Sequence, residues 1–174
     1  MITLSKSASR LGTESAFEVL ARAQALAAEG KDIINLGIGQ PDFRTPEHIV
    51  EAGIKALQDG HHGYTPANGL PVLRHAVSAD LHRRHNVEIN PDHVVVVPGG
   101  KPTMFFALML LGEPGVEVLY PNPGFPIYES VINFSGATPV PISLREEDGF
   151  AFSAAEVLGQ ITPATRLIII NSPA

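Results

Sequence analysis

Four short stretches carry residue types that could hold an anion or a planar ligand, and each also has a plainer structural reading. The first is Gly99-Gly100-Lys101-Pro102, placed between the valine run 94–97 and an apolar stretch with helical spacing from Thr103. A strand that turns through glycines into a helix offers backbone N–H groups and the positive end of the helix dipole to a phosphate. Pro102 suits a first helical turn, where an N–H would be orphaned. The alternative is a tight strand–helix turn that binds nothing. The second stretch is Leu36-Gly37-Ile38-Gly39-Gln40-Pro41-Asp42-Phe43. Glycines at 37 and 39 leave backbone amides open to a carboxylate, or Pro41 and Asp42 simply make a rigid connector. In the third, 62–69, Tyr64 stands on a Gly-Pro loop, where a phenol could donate to a phosphate or pack over a core edge. The fourth, Tyr120-Pro121-Asn122-Pro123-Gly124-Phe125-Pro126-Ile127-Tyr128, follows a strand. Ligands of open α/β sheets bind at that end of the strands. Phe125, restrained by prolines on both sides, could stack on a planar cofactor or anchor the next helix.

Other chemistries are excluded or weak. A P-loop would need glycine where Val95 stands and Ser or Thr where Pro102 stands. The dinucleotide fingerprint fails because Asp42 occupies the place of its third glycine. The absence of cysteine rules out disulfides, thiolate metal sites and a cysteine nucleophile. His75, His82 and His85 share a helical stretch with Arg83 and Arg84, whose charges oppose a cation, so a solvated face is the better account. The run Arg145-Glu146-Glu147-Asp148-Gly149 reads as a charged surface turn. A net charge of -6 argues against a nucleic-acid partner.

The elements that must position these residues are legible from periodicity. With 44% hydrophobic and 17% charged residues, the chain is globular rather than disordered. Helical spacing covers 15–29, a helix from Pro46 to Gly60 capped by Thr45, and 70–85. Short strands are expected at 33–36 and 94–97, the latter a β-branched run covered on both faces. Beyond it, helices at 103–111, 127–134 and 153–159 alternate with strands at 116–120, 138–142 and 167–170. This order implies an α/β fold with a mostly parallel sheet and helices on both faces. Neither a secretory h-region near the N-terminus nor a bilayer-length apolar run is visible, so a soluble, cytoplasmic protein without membrane contact is expected. The chain stops after an apolar strand, where the next helix should begin, and truncation is the simpler expectation.

In this order, the four stretches resemble the N-terminal part of the class I/II, fold-type I, pyridoxal-phosphate-dependent aminotransferases. The likeness runs from Ile33 to Ala174 and is greatest to the aspartate-aminotransferase-like subgroup. It rests on Leu-Gly-x-Gly-x-Pro-Asp-Phe at 36–43, Gly-Tyr-Thr-Pro from 63, Gly-Gly-Lys at 99–101 and Pro-Gly-Phe-Pro-x-Tyr at 123–128. Asn171-Ser172-Pro173 resembles the start of that family's Asn-x-Pro-x-Asn-Pro-x-Gly run.

The resemblance implies a partial large domain of the PLP-transferase fold. Residues 1–45 would form an arm, helix and strand contributing to the small domain, and 46–174 the first part of the cofactor-binding domain. Gly39 would offer its amide to the substrate carboxylate. Gly100 and Lys101 would hold the phosphate of pyridoxal 5'-phosphate through main-chain N–H groups, and Phe125 would stack on the pyridine ring. Tyr64 would reach the phosphate in the partner's site of a homodimer. Lys101 is not the Schiff-base lysine of the resemblance, which belongs beyond residue 174, and its side chain is expected to face solvent or the outer field of the phosphate. The implied reaction moves an amino group from an L-amino acid, aspartate being one candidate, to a 2-oxo acid. The 174 residues alone are expected to be inactive, since that lysine is both covalent anchor and general base. A lyase or decarboxylase on the same fold, or a non-catalytic fragment binding a phosphate or a partner, would share these features.

Overall fold

Strand β1 (Glu117–Asn122) is buried along Val118–Pro121, and the reason lies in its alternating side chains. Val118 and Tyr120 enter one apolar cluster with Leu108, Tyr128, Val131 and Ile132, while Leu119 enters a second with Ile142 and Val157. A strand covered on both faces reads as a continuous apolar run, as this one does. In the computed structural model, which describes residues 2–12, 15–37 and 39–172, β1 is the middle of a three-stranded parallel sheet ordered β2-β1-β3. The outer strands are β2 (Thr138–Ser143) and β3 (Thr165–Ile168). Helices α4 (Lys101–Leu111) and α5 (Ile127–Ser135) supply Leu108, Tyr128, Val131 and Ile132 to the first cluster. Helix α6 (Ala154–Gln160) supplies Val157 to the second. The expected sheet with helices on both faces is therefore present.

Strand limits follow the prolines. The backbone of β1 alternates direction: Glu117 N donates to Ala164 O on the β3 side, while the preceding Val116 O accepts from Thr138 N of β2. Pro121 has no amide, and its missing donor falls on the β3 side, past the last paired residues Leu119 and Ile168. The strand therefore continues to Asn122, two residues beyond the expected end. On β2, the amides of Thr138 and Leu144 both point at β1, so those of 139 and 141 would point away. Both of these positions are proline. The outer side of β2 is thus stripped of donors at two successive positions, as edge strands tolerate.

The chain divides into two compact units, Met1–Gly37 with Gly99–Ala174, and Ile38–Pro98. The first contains the sheet together with α1 (Ser15–Ala28). The second holds α2 (Glu47–Gln58) and α3 (Pro71–His85), neither of which buries a residue. Pro71 opens α3, and Asn86 closes it in the left-handed conformation at φ 54. Asp80 binds Arg83 and Arg84, and Arg83 first, then Arg84, holds its carboxyl below the ordinary range. This charged pattern suits the solvated face expected for the histidine-rich helix.

Four expectations need correction. Thr45 does not cap α2: Pro46 occupies the cap position, and no side chain bonds to the first turn. Thr45 lies one residue too far upstream. Helix α4 begins at Lys101 rather than Thr103, because Pro102 pre-sets a helical φ within the first turn. The run 94–97 joins no ladder; Val96 N donates once, to Asn68 O, and Val95 is 63% exposed. Residues 33–36 likewise pair with no strand, and Leu36 is 91% exposed. An apolar run becomes a strand only when a neighbouring edge accepts its backbone, and no described residue provides one for either run.

The capping box of α6 is complete: Ser153 Oγ accepts from Glu156 N at 3.1 Å, and Ser153 N donates to Glu156 Oε2 at 2.9 Å. The backbone bond from Ser153, then its hydroxyl, lowers the Glu156 carboxyl below its usual value. That stabilisation is full above the unfolded glutamate value and is lost as pH falls through the lowered one. Ser153→Ala is expected to cost about 1 kcal/mol in urea unfolding near pH 7. The gap from the parent chain should shrink in acid; a pH-independent gap would contradict the assignment.

Candidate functional site

Two parallel strands end on the same side of the sheet, and their exits form a groove. The chain leaves β1 at Asn122 and reaches Phe125 three residues later; it leaves β3 at Ile168 and reaches Asn171. Gly100, Lys101 and Thr103, at the start of α4, complete the lining with Phe125, Tyr128 and Asn171, around a volume of about 730 Å³. The carboxyl end of parallel strands is where open α/β sheets bind ligands.

The α4 start is built for close approach. Gly99 adopts φ +90, a conformation that side chains rarely take. Gly100, in the cap position, has an ordinary φ of -79 and no side-chain cap. A Cβ built on either glycine would meet nothing within 4 Å, so the space before the helix is open. First-turn amides have no acceptor within their own helix, and Pro102 removes one of them. With the positive end of the dipole of an 11-residue helix, the arrangement is chemically suited to an anion such as a phosphate.

The opposite wall is aromatic. Phe125 is half-buried and meets Tyr128 edge-on, ring centroids 5.8 Å apart at 87°. Tyr128 is buried, and its amide donates to Phe125 O at 3.0 Å. Phe125, just ahead of α5, is thus tied to its first turn through backbone and ring, besides being flanked by Gly124 and Pro126. Lys101 is exposed, as expected of a side chain at a helix start. Its Nζ lies over the Phe125 ring, 5.4 Å from the centroid, and 5.9 Å from that of Phe17 on α1. On β1, burial first, then the charge and hydrogen bond of Glu129, raises the Tyr120 phenol above its ordinary value.

Of the residues singled out from sequence, Gly100, Lys101 and Phe125 line this one groove. Gly39 and Tyr64 belong to the other compact unit. A Cβ on Gly39 would meet nothing within 4 Å, and Tyr64 is fully exposed. Pro173 lies outside the described residues, but Asn171 is described and lines the groove. Sequence reasoning did not assign roles to Thr103, Tyr128 or Asn171. Tyr128 could have been found, since it stands three residues after Phe125 at the start of a helix.

The family model described as aminotransferase class I and II matches residues 31–174. The chain belongs to this family. Members of the family depend on pyridoxal phosphate. The chain is 39% identical over 170 residues to a protein of Aquifex aeolicus named "Probable aspartate/prephenate aminotransferase". It is 34% identical, also over 170 residues, to the aspartate aminotransferase of Bacillus subtilis. Each alignment covers 98% of this chain and 43% of the relative. The solved structure of the aspartate aminotransferase from Thermus thermophilus with maleate superposes with a TM-score of 0.92 at 33% identity. That match covers 100% of this chain and 46% of that one. The chain thus spans under half the length of these class I and II aminotransferases.

The two glycines of the turn differ in what they require of the backbone. Gly99→Ala forces a Cβ into positive φ and is expected to cost about 1–2 kcal/mol. Gly100→Ala has an ordinary φ and free space, so its thermal midpoint should stay near that of the parent. Equal midpoints for the two variants would refute this reading of the turn.

Proposed function

We propose that the groove holds pyridoxal 5'-phosphate and that this chain supplies one part of a pyridoxal-phosphate-dependent aminotransferase. The observation that supports it most is the meeting of an open helix N-terminus at Gly100 and an aromatic ring at Phe125 across one groove. These match the two ends of the cofactor, a phosphate and a flat pyridine. Main-chain N–H groups at Gly100 and Lys101 would hold the phosphate, and Phe125 would cover one face of the ring. Because the Lys101 ammonium now lies over that ring, stacking on this face requires it to swing aside, and a bound anion offers it a new partner. Bound there, the cofactor would supply the electron sink of the reaction, while the chain fixes its orientation and excludes water from one face.

In this proposal, residues 1–45 serve the small domain and 46–174 the cofactor-binding domain. Gly39 would give its amide to the substrate carboxylate. Tyr64 would reach the cofactor phosphate of a second copy in a homodimer; its full exposure supports that role. The reaction would pass an amino group from an L-amino acid to a 2-oxo acid. Aspartate is a candidate donor because related proteins carry it in their names. A cytoplasmic location suits such an enzyme, and among the described residues no helix is long and apolar enough to cross a membrane.

Titration with pyridoxal 5'-phosphate and with pyridoxal, followed by absorbance and equilibrium dialysis, tests the groove. The phosphorylated form should bind much more tightly than pyridoxal. Phe125→Ala should weaken binding by about tenfold, the scale of one aromatic stacking contact, and Gly100→Ala should weaken it without lowering the melting temperature. Equal binding of both compounds would sink the proposal. An amino-transfer assay on the 174-residue chain is expected to show no turnover, because neither Lys101 nor any other lysine of the chain matches the family's covalent anchor.

A further inference from the structure

The last turn of α5 is tied to a residue 123 and 124 positions earlier in the chain. Arg10 Nε donates to Asn133 O at 2.8 Å, and Arg10 Nη2 donates to Phe134 O at 2.9 Å. These carbonyls lie in the final turn, where a helix lacks donors of its own and carries the negative end of its dipole. A guanidinium is therefore well matched in both charge and geometry. One turn earlier, Gly12 N donates to Ser130 Oγ at 3.0 Å, and that hydroxyl donates back to Gly12 O at 3.2 Å.

The attachment is shaped on both sides. A single 3-10 turn, Ala8–Arg10, presents the arginine, and its Nη1 also reaches Lys6 O at 3.4 Å. Gly136 ends α5 at φ +91, and a Cβ there would stand 3.6 Å from Arg10 Nη2 and 3.2 Å from Pro114 Cγ. Below the segment, Phe105 of α4 meets Phe134 of α5, ring centroids 5.5 Å apart. Two small apolar cavities, about 260 and 250 Å³, flank it between α4 and α5. The polar ties at Arg10 and Ser130 span the segment between these spaces.

We propose that residues 5–12 act as a strap that fixes α5, with Arg10 as a positioning residue for the Phe125–Tyr128 wall of the groove. The helix is only nine residues long, so a restraint on its last turn and at Ser130 is felt at its first turn. Tyr128 sits in that first turn, buried and edge-on to Phe125. Arg10 touches no residue of the groove wall; it acts through the helix.

The full chain tests this by amide hydrogen exchange on Arg10→Ala, Arg10→Lys and Ser130→Ala. A strap predicts that Arg10→Ala speeds exchange across residues 127–131 as well as 133–136, by about tenfold, the scale of losing a charge-assisted bond. Arg10→Lys, which keeps the charge but not the two-pronged geometry, should recover part of the protection. Ser130→Ala, which leaves Arg10 in place, should loosen 127–131 and serves as the test if Arg10→Ala does not fold. Faster exchange confined to 133–136 in Arg10→Ala would overturn the proposal and leave only a local helix cap. So would unchanged protection of 127–131 in Ser130→Ala. A second readout rests on the function proposed above: the dissociation constant for pyridoxal 5'-phosphate should rise in step with exchange at 127–131. If the parent chain binds no pyridoxal 5'-phosphate, the functional reading fails, and exchange alone decides for or against the strap.

Discussion

Everything in the sheet-containing unit depends on burying β1 from both sides. Val118 and Tyr120 require α4 and α5 over one face, and Leu119 requires α6 over the other. Each fully buried aliphatic side chain contributes about 1.5–3 kcal/mol, so these few residues outweigh any single polar contact in the unit. The same burial lines up the exits of β1 and β3 and brings the start of α4 alongside them. A groove at that edge is therefore a consequence of core packing. The chemistry needed only suitable residues at that edge, and the chain has glycines before α4 and a phenylalanine after β1.

Much of this was legible in the sequence because the deciding interactions are local or periodic. The alternation from residue 94 onward implied a parallel α/β sheet, and the order of the glycine, lysine and phenylalanine stretches resembled a family that the comparisons then matched over residues 31–174. What was not legible depended on neighbours distant in sequence. The valines at 94–97 have strong strand character, yet a strand is a relation between two backbones, and Val96 makes a single bond to Asn68. The position of Lys101 over Phe125 could not be read either, since 24 residues separate them and the contact is created by the fold. Arg10 gave no signal, because a lone arginine ahead of a helix does not reveal which carbonyls will receive it.

The groove joins two influences on the same cation. The N-terminal end of α4 is positive and repels the Lys101 ammonium, while the faces of Phe125 and Phe17 attract it.

The prolines at 139 and 141 give the sheet a direction. An added strand must exchange backbone bonds with an exposed edge, and β2 has lost two successive donors on its outer side. The outer side of β3 contains no proline from Thr165 to Ile168. Extension is therefore chemically one-sided: any further strand, whether from more of the same polypeptide or from another, is admitted at β3 and refused at β2. The sheet has a terminus on one flank and a growing front on the other.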